Sequence, residues 1–390
     1  MKQATLKLTA LVMLLAGVTT NVEAQSGTGI RNPSVVTTAV PFLRISPDAR
    51  STGMGDVGIA TMPDAYSGFW NIAKTPFAKS KFNIGATYTP WLNDLDLKDV
   101  YFATLAGYYK LDETQAISSS LRYFSLGSIQ FTDALGNQLQ QVRPREFAID
   151  LGYSRKLSSK NGIGIALRYI NSDLQGGNTN GINYKTGTSV AADLHYYHQG
   201  ASATGSGFNW GVTLSNLGAK ISYTGDKTQQ DYIPANLGVG ASYTKVFDAD
   251  NTLTFALDLN KLLVPTPPSK LSTETDSTYT VRVGEYRNKG VVSSWFSSFS
   301  DSENNGGELR EVTAAVGAEF WYKNQFAFRT GYFYENPEKG NRKFFTVGAG
   351  LKYNMIGINL SYLLPSGSGT NRNPLSNTVR FGLTFDLDKK

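Results

Sequence analysis

Residues 146–156 read EFAIDLGYSRK, and their side chains alternate between two kinds. Every second position carries a large apolar residue: Phe147, Ile149, Leu151 and Tyr153. The positions between them carry small or polar residues: Ala148, Asp150, Gly152 and Ser154. Because successive side chains of a β-strand point to opposite faces, this pattern predicts a strand with one apolar face and one small or polar face.

The same alternation recurs along the chain after residue 81. It is found at 82–88, 101–109, 117–123, 163–169, 190–196, 208–214, 237–243, 253–259, 312–322, 326–334, 345–353, 356–364 and 379–387. With 146–156 this predicts fourteen strands, and single-chain bacterial outer-membrane barrels have an even number. We therefore expect an all-β fold, a 14-stranded antiparallel transmembrane β-barrel.

The lengths of the connections distinguish a barrel from a soluble β-sandwich. Every second connection is short: 110–114, 157–161, 198–207, 247–251, 322–325 and 353–355. The others are mostly long: 91–97, 125–144, 171–187, 218–234, 263–311, 335–343 and 365–376. Outer-membrane barrels have short periplasmic turns and longer extracellular loops. The alternation therefore predicts that both ends of the barrel chain lie on the periplasmic side.

Charged residues of the predicted strands fall on the face opposite the apolar one. They are Arg122, Asp150, Arg168, Asp193, Asp258, Glu319, Arg329, Lys352, Arg380 and Asp386. A lysine or arginine facing lipid at mid-depth costs roughly 2–4 kcal/mol, so we expect these groups to point into the barrel.

The first 24 residues have the organisation of a secretory signal peptide. Lys2 and Lys7 precede the apolar run 8–18, and Val22-Glu23-Ala24 provides small residues for cleavage after Ala24. Such a peptide routes the chain out of the cytoplasm, and together with the barrel it predicts the outer membrane of a Gram-negative bacterium.

The segment 25–80 lacks the alternation of a barrel strand and is rich in turn-forming residues. We predict that this segment is a hatch that plugs the lumen or packs against its periplasmic mouth. The predicted organisation is thus a signal peptide at 1–24, a hatch at 25–80 and a barrel at 81–388, whose longest extracellular loop is 263–311.

Signals of catalysis or cofactor binding are weak. The chain has no cysteine and only two histidines, His195 and His198, which an odd spacing places on opposite faces of a strand. GMGDVG at 53–58 is not flanked by a strand and a helix, so tight turns explain its glycines better than a nucleotide does. The net charge is +6 with scattered basic residues, which disfavours nucleic acid. We predict no enzymatic activity, metal or cofactor.

An apolar cluster stands out in the longest loop. It consists of Val291, Val292, Trp295, Phe296 and Phe299. Exposed apolar clusters containing aromatic residues often mark contact surfaces, which predicts a partner-binding loop tip. A second interpretation, in which the loop folds back and caps its own barrel, stays open.

Three stretches resemble the PorV family of type IX secretion proteins. They are FLRISPDARSTGMGDVGIATMPDAYSGFWNIAKTPFA at 42–78, ATYTPWL at 86–92 and AISSSLRYFSLGSIQFTDALGN at 116–137. The resemblance implies a FadL-like, 14-stranded barrel whose hatch motif includes Gly53, Met54, Gly55, Asp56, Trp70 and Asn71. One departure is Ile72, which stands where the family usually has proline.

The resemblance also implies partners. They are the giant type IX translocon barrel, cargo proteins with C-terminal signal domains, and a surface attachment complex with a sortase-like member, besides outer-membrane lipid and lipopolysaccharide. The implied role is a cargo shuttle. Two alternatives remain: a FadL-like diffusion channel for hydrophobic compounds, and an enzyme acting on lipopolysaccharide acyl chains. The charged inner face disfavours the first, and the second lacks a recognisable nucleophile–base pair.

Overall fold

The fold was analysed in a computed structural model of the chain. It describes residues 35–387 except 93–96, 133–134, 175–176, 180–181, 203–204, 225, 227–228, 271–272, 302–306 and 365–376. The predicted signal peptide and its cleavage site lie outside the described residues. Among the described residues, no helix is long and apolar enough to cross a membrane.

Strands make up most of the described chain. They are β1 (Phe82–Pro90), β2 (Val100–Lys110), β3 (Gln115–Leu126), β4 (Ile129–Thr132), β5 (Gln138–Val142), β6 (Arg145–Lys156), β7 (Asn161–Asp173), β8 (Gly177–Thr179), β9 (Ile182–Tyr184), β10 (Gly187–Gln199), β11 (Gly207–Gly218), β12 (Asn236–Val246), β13 (Thr252–Leu262), β14 (Val312–Tyr322), β15 (Phe326–Tyr334), β16 (Lys343–Tyr353), β17 (Ile356–Leu363) and β18 (Val379–Leu387).

Helices are short and lie outside the barrel wall. They are α1 (Ala49–Gly53), α2 (Ser67–Trp70), α3 (Asp276–Asn288), α4 (Val291–Ser297) and α5 (Gly307–Arg310), with 3₁₀ turns at Pro41–Arg44, Ile72–Phe77 and Pro337–Lys339.

Fourteen of these strands form one closed antiparallel barrel, as predicted. The barrel omits only the hairpins β4–β5 and β8–β9, which belong to two of the long loops. Closure occurs between the first and last strands, where Phe82 pairs with Leu387 and Tyr88 pairs with Phe381. Closure leaves no exposed strand edge, so every strand satisfies its backbone hydrogen bonds within the wall.

The two faces of the wall differ as the alternation predicts. Outward apolar side chains are largely exposed, and Leu151 and Leu167 are more than half exposed. Inward residues of the same strands, such as Ala148 and Asp150, are almost completely buried. An apolar band of this kind around a closed barrel suits contact with lipid.

Eight of the ten charged residues predicted to face inward are buried inside the barrel. The other two, Lys352 and Asp386, are partly exposed and form an ion pair of 2.8 Å. They lie close to the short turn that follows Tyr353, where the barrel ends and water reaches the wall.

A hatch formed by the described part of the N-terminal segment fills the lumen. Its α1 packs against the inner faces of β15 to β18, and its 3₁₀ turn Ile72–Phe77 packs against β6, β7 and β10. Ala49, Val57, Ala65 and Ala73 within it have no exposed surface. The prediction of an N-terminal plug is therefore confirmed, and of its two predicted positions the lumen is the one observed.

Short turns gather at one end of the barrel and long loops at the other. We expect the two ends to differ in accessibility from outside the cell. The chain contains no cysteine, so Ser159→Cys in the turn after β6 and Ser300→Cys after α4 each introduce a single thiol. A membrane-impermeant maleimide applied to intact cells should label only Cys at 300. Equal labelling of both variants would contradict this topology.

Candidate functional site

Glycines of the hatch motif and of the wall together allow the hatch backbone to lie directly against the barrel wall. A β-carbon on Gly331 of β15 would lie 2.1 Å from the carbonyl carbon of Met54, and one on Gly317 of β14 would lie 2.3 Å from the oxygen of Met54. Gly55 adopts φ +74°, a left-handed conformation that favours glycine. A β-carbon on Gly53 would lie 3.1 Å from the Cα of Gly348 in the wall. The motif therefore makes close backbone packing possible.

Trp70 and Asn71 join the parts of the hatch to one another. The Trp70 Nε1 donates to Asp48 Oδ2 at 2.7 Å. Asn71 Oδ1 accepts from Ala73 N at 3.0 Å and caps the 3₁₀ turn, and its Nδ2 donates to the Tyr196 carbonyl of the wall at 3.0 Å. The Asn71 cap thus fixes the start of the turn that begins at Ile72.

An arginine of the hatch is bound by the wall through two hydrogen bonds. Arg50 donates from Nε and Nη2 to the two Glu319 oxygens at 2.9 and 2.8 Å. Arg329 donates to the same carboxylate at 2.7 Å, and Arg50 also donates to Asp64 at 2.7 Å. Glu319 is thus a buried carboxylate shared between a hatch cation and a wall cation, and this anchors α1. Sequence reasoning predicted Glu319 and Arg329 to face inward but missed Arg50.

A second anchor also uses a wall carboxylate, but it binds the backbone of the hatch. Asp258 of β13 accepts hydrogen bonds from the backbone nitrogens of Gly58 and Ile59 at 2.7 and 2.9 Å. Lys74, itself buried, donates to the Gly58 carbonyl at 2.6 Å and to Thr61 Oγ1 at 3.1 Å. The backbone of this hatch turn is therefore held by a wall carboxylate on one side and a hatch ammonium on the other.

The hatch also bonds to the seam where the barrel closes. The Tyr66 hydroxyl is within donating distance of two carbonyls, that of Ala86 in β1 at 2.9 Å and that of Leu383 in β18 at 3.2 Å. It accepts from Thr87 Oγ1 at 3.1 Å. Arg380 of β18 donates to the Ser46 carbonyl of the hatch. Hatch groups therefore bind both strands of the closing pair.

A cavity lies between the hatch and the long-loop end. It measures about 1120 Å³, including space open to solvent. Phe69, Trp70 and Asp56 of the hatch line it, together with Asn236 and Asn260 of the wall. Its lining mixes apolar, amide and charged groups, whereas a hydrocarbon path would need an apolar lining.

Paired charges rim this cavity. Glu335 binds Arg342 at 2.7 Å and lies 3.5 Å from Arg44. Burial opposes ionisation of Glu335, but the hydrogen bonds and positive charge of Arg342 hold its pKa below the ordinary value. Lys261 and Lys339 likewise bind the Glu311 carboxylate at 2.6 and 2.8 Å, and these hydrogen bonds lower the pKa of Glu311 despite its burial.

The predicted loop tip forms helix α4 rather than an irregular loop. Phe296 is 73% exposed, Val292 is 58% exposed and Phe299 is 48% exposed, whereas Val291 and Trp295 are half-buried. The preceding α3 is tied to the rim because Lys220 Nζ donates to the carbonyls of Arg287 and Lys289 at 2.6 and 2.7 Å. The cluster thus divides into an outward apolar surface and a half-buried base.

Among the described residues, one group of three carboxylates could hold a metal ion, and two of its members are paired with lysines. Asp301, Glu308 and Glu311 bring carboxylate oxygens close together, but Lys261 donates to Glu308 at 2.9 Å and to Glu311. His195 is buried, and its Nε2 lies 4.0 Å from Asp193. The lysine contacts are ion pairs, whereas His195 makes no hydrogen bond to Asp193.

A match to a protein-family model shows which family the chain belongs to. The family model "Type IX secretion system protein PorV" matches residues 29–269, which is more than half of the chain. The chain belongs to the PorV family. No curated protein sequence is significantly similar to it.

Solved structures share the architecture at low sequence identity. A deltaS2 mutant of the monoaromatic hydrocarbon channel TodX, elsewhere described as the Pseudomonas putida toluene transporter, aligns with a TM-score of 0.52 and 12% identity over 88% of this chain and 99% of that one. The Ralstonia pickettii toluene transporter TbuX aligns with a TM-score of 0.48 and 13% identity over 87% and 96%. A Pseudomonas aeruginosa FadL homologue gives 0.45 and 9% over 90% and 99%.

Fold and family together establish the general role. The TodX similarity shows the fold alone, a closed β-barrel. Membership of the PorV family identifies an outer-membrane component of the type IX secretion system in a Gram-negative bacterium, in a family concerned with transport rather than catalysis.

Proposed function

We propose that this PorV-family protein is a non-enzymatic cargo shuttle. It binds the C-terminal signal domain of exported cargo at the giant translocon barrel and passes the cargo to the surface attachment complex with its sortase-like member. The observation that carries the proposal is the family match over residues 29–269. The apolar band of the barrel supports contact with outer-membrane lipid and lipopolysaccharide.

The docking surface that we propose is the outward face of α4. Its exposed apolar side chains are Phe296 and Val292, and Phe299 extends the surface just beyond the end of the helix, at the long-loop end of the barrel. The half-buried base formed by Val291 and Trp295, together with the anchored α3, holds this face in place, which reduces the entropy lost on binding.

Contacts between the hatch and the wall support shuttling over diffusion of hydrophobic compounds. Charged anchors at Glu319 and Asp258 hold the hatch within the lumen, and buried charges interrupt the apolar groups of the wall around them. A hydrophobic solute would have to pass these charged groups, with which it forms no favourable contacts. The hatch motif serves, in this proposal, to keep the barrel shut while the loops bind partners.

We also propose a cleavage site for the signal peptide and bounds for the hatch and the barrel. The signal peptide at 1–24 is removed after Ala24, the hatch covers 25–80 and the barrel covers 81–388. Mass spectrometry of the protein extracted from outer membranes should find Gln25 as the first residue of the mature chain.

Recovery of partners tests the proposal. The full-length protein, tagged in the exposed turn after β6, should recover the translocon and secreted proteins with C-terminal signal domains from cross-linked outer membranes. Liposomes containing the purified protein should swell no faster in hydrophobic solutes than liposomes without it. Rapid swelling together with failure to recover secretion proteins would favour a channel and contradict the shuttle.

A further inference from the structure

Arg122 is a buried cation whose hydrogen-bonding donors lack partners. It projects from β3 into the barrel and is 4% exposed. Within the described part of the chain, neither Nε nor Nη1 makes a hydrogen bond. The Asp150 carboxylate lies 4.0 Å from Nη1, beyond hydrogen-bond distance, and already binds Arg168 and accepts from Ser120 Oγ at 2.6 Å. A buried charge with unsatisfied donors is costly, and natural proteins retain such groups chiefly where they serve a function.

Two other arginines on the inner wall donate hydrogen bonds to carboxylates, although Nη2 of Arg329 also lacks a partner. Arg329 donates to Glu319 at 2.7 Å and to Asn359 at 2.9 Å. Arg168 binds Asp150 and donates to Asp193 at 2.8 Å. The wall therefore supplies hydrogen-bonded carboxylates to these two cations, whereas Asp150 forms only a 4.0 Å ion pair with Arg122.

Arg122 lies beside the cavity above the hatch, which has room and polar groups for a small ligand. Arg122 lines this cavity, and the Phe69 ring lies 4.7 Å from its guanidinium carbon, which orients the guanidinium plane. Asn236 and Asn260 also line the cavity and share one hydrogen bond of 2.9 Å, which leaves further donor and acceptor capacity on both amides. Thr213 adds a hydroxyl.

We propose that this cavity binds a small polar oxyanion, with Arg122 holding its phosphate or carboxylate group. The planar fork of a guanidinium matches the oxygens of either group, and burial strengthens the charge-assisted hydrogen bonds. The amides of Asn236 and Asn260 suit a hydroxyl-rich body such as a sugar. Entry is from the long-loop end, because the hatch closes the other side. The site does not depend on the proposed shuttle function.

Calorimetry on the full-length protein in detergent tests this site. The probes are glucose 6-phosphate, gluconate, inorganic phosphate, glucose and octanoate. Arg122→Gln removes the cation, and Arg155→Gln, at an exposed outward position of β6, is the matched control. We expect wild type and Arg155→Gln to bind glucose 6-phosphate or gluconate, Arg122→Gln to lose at least tenfold in affinity, and glucose not to bind. Phosphate binding as tight as that of glucose 6-phosphate, and equally lost in Arg122→Gln, would support the site and assign it to the free ion.

Thermal unfolding gives a second readout that does not depend on the choice of probe. Without ligand, Arg122→Gln should unfold at the same temperature as wild type or higher, since it removes an unsatisfied buried charge. A large drop in that temperature would make Arg122 a structural partner of Asp150 and overturn the proposal. Absence of binding by every oxyanion, binding unchanged in Arg122→Gln, or tighter binding of octanoate than of the sugar acids would overturn it as well.

Discussion

Replacing Glu319 by alanine should release the hatch from the barrel wall and destabilise the whole protein. Glu319 is the buried carboxylate shared by Arg50 and Arg329, so its loss leaves Arg329 without a carboxylate and Arg50 with Asp64 alone. Removing one partner of a buried ion pair costs about 3–5 kcal/mol. We expect a lower thermal unfolding midpoint in detergent and a higher conductance in planar bilayers.

Two companion variants separate these effects. Glu338→Ala breaks the partly exposed ion pair with Arg310. Such a pair contributes about 0–1 kcal/mol to stability, so this variant should leave both readouts unchanged. Arg50→Met removes only the hatch cation and keeps the wall pair of Glu319 and Arg329. Arg50→Met should raise the conductance, with a smaller loss of stability than Glu319→Ala causes. If Glu319→Ala behaved like Glu338→Ala, the hatch would not depend on this anchor.

Polar substitution of the exposed face of α4 should abolish recovery of the translocon. In the double variant Val292→Ser, Phe296→Ser, two largely exposed apolar side chains are lost while the half-buried Trp295 remains. Full burial of a Val or Phe side chain is worth about 1.5–3 kcal/mol, and each 1.4 kcal/mol is tenfold in affinity. We expect the affinity for the partner to fall by roughly a hundredfold, measured by co-purification from cross-linked membranes.

Equally exposed residues outside the face provide the control. Val281 of α3 and Leu309 of α5 are exposed to a similar or greater extent, so Val281→Ser, Leu309→Ser changes surface hydrophobicity elsewhere in the same loop. This control should recover the translocon normally. If the double variant in α4 instead fails to give a heat-modifiable barrel, the cluster caps its own barrel. If it folds and recovers the translocon, the docking surface lies in another loop.

Barrel strands were predictable because their two faces meet different environments. In the segment 146–156, Leu151 faces outward and Asp150 faces the filled lumen. Neighbouring residues therefore differ in polarity, and this difference is visible in the sequence. The hairpin β4–β5 was not predicted, because most of its side chains are exposed and no buried face imposes a period. Helix α3 was missed for the same reason, as it has no buried residue.

The contacts of the site were less predictable than the strands. The alternation indicates that Glu319 faces inward, but its pairing with Arg50 joins positions 269 residues apart, and no local pattern encodes such a pair. The available signal was the charged Arg50, which precedes the first glycine of the hatch motif by three residues. That Arg122 lacks a partner while Arg168 has two also depends on distances that the sequence does not contain.

The bonds of Tyr66 across the closing strands bear on the order of assembly. Tyr66 belongs to a segment that leaves the ribosome early, whereas Leu383 lies in the last strand to be made, 317 residues later. Pairing over such a separation carries a large loop-closure entropy, so it forms late in folding. Because the hydroxyl contacts carbonyls of both strands, its native hydrogen bonding requires the closed pair of β1 and β18. The position of the hatch and the closure of the barrel are therefore coupled through this side chain.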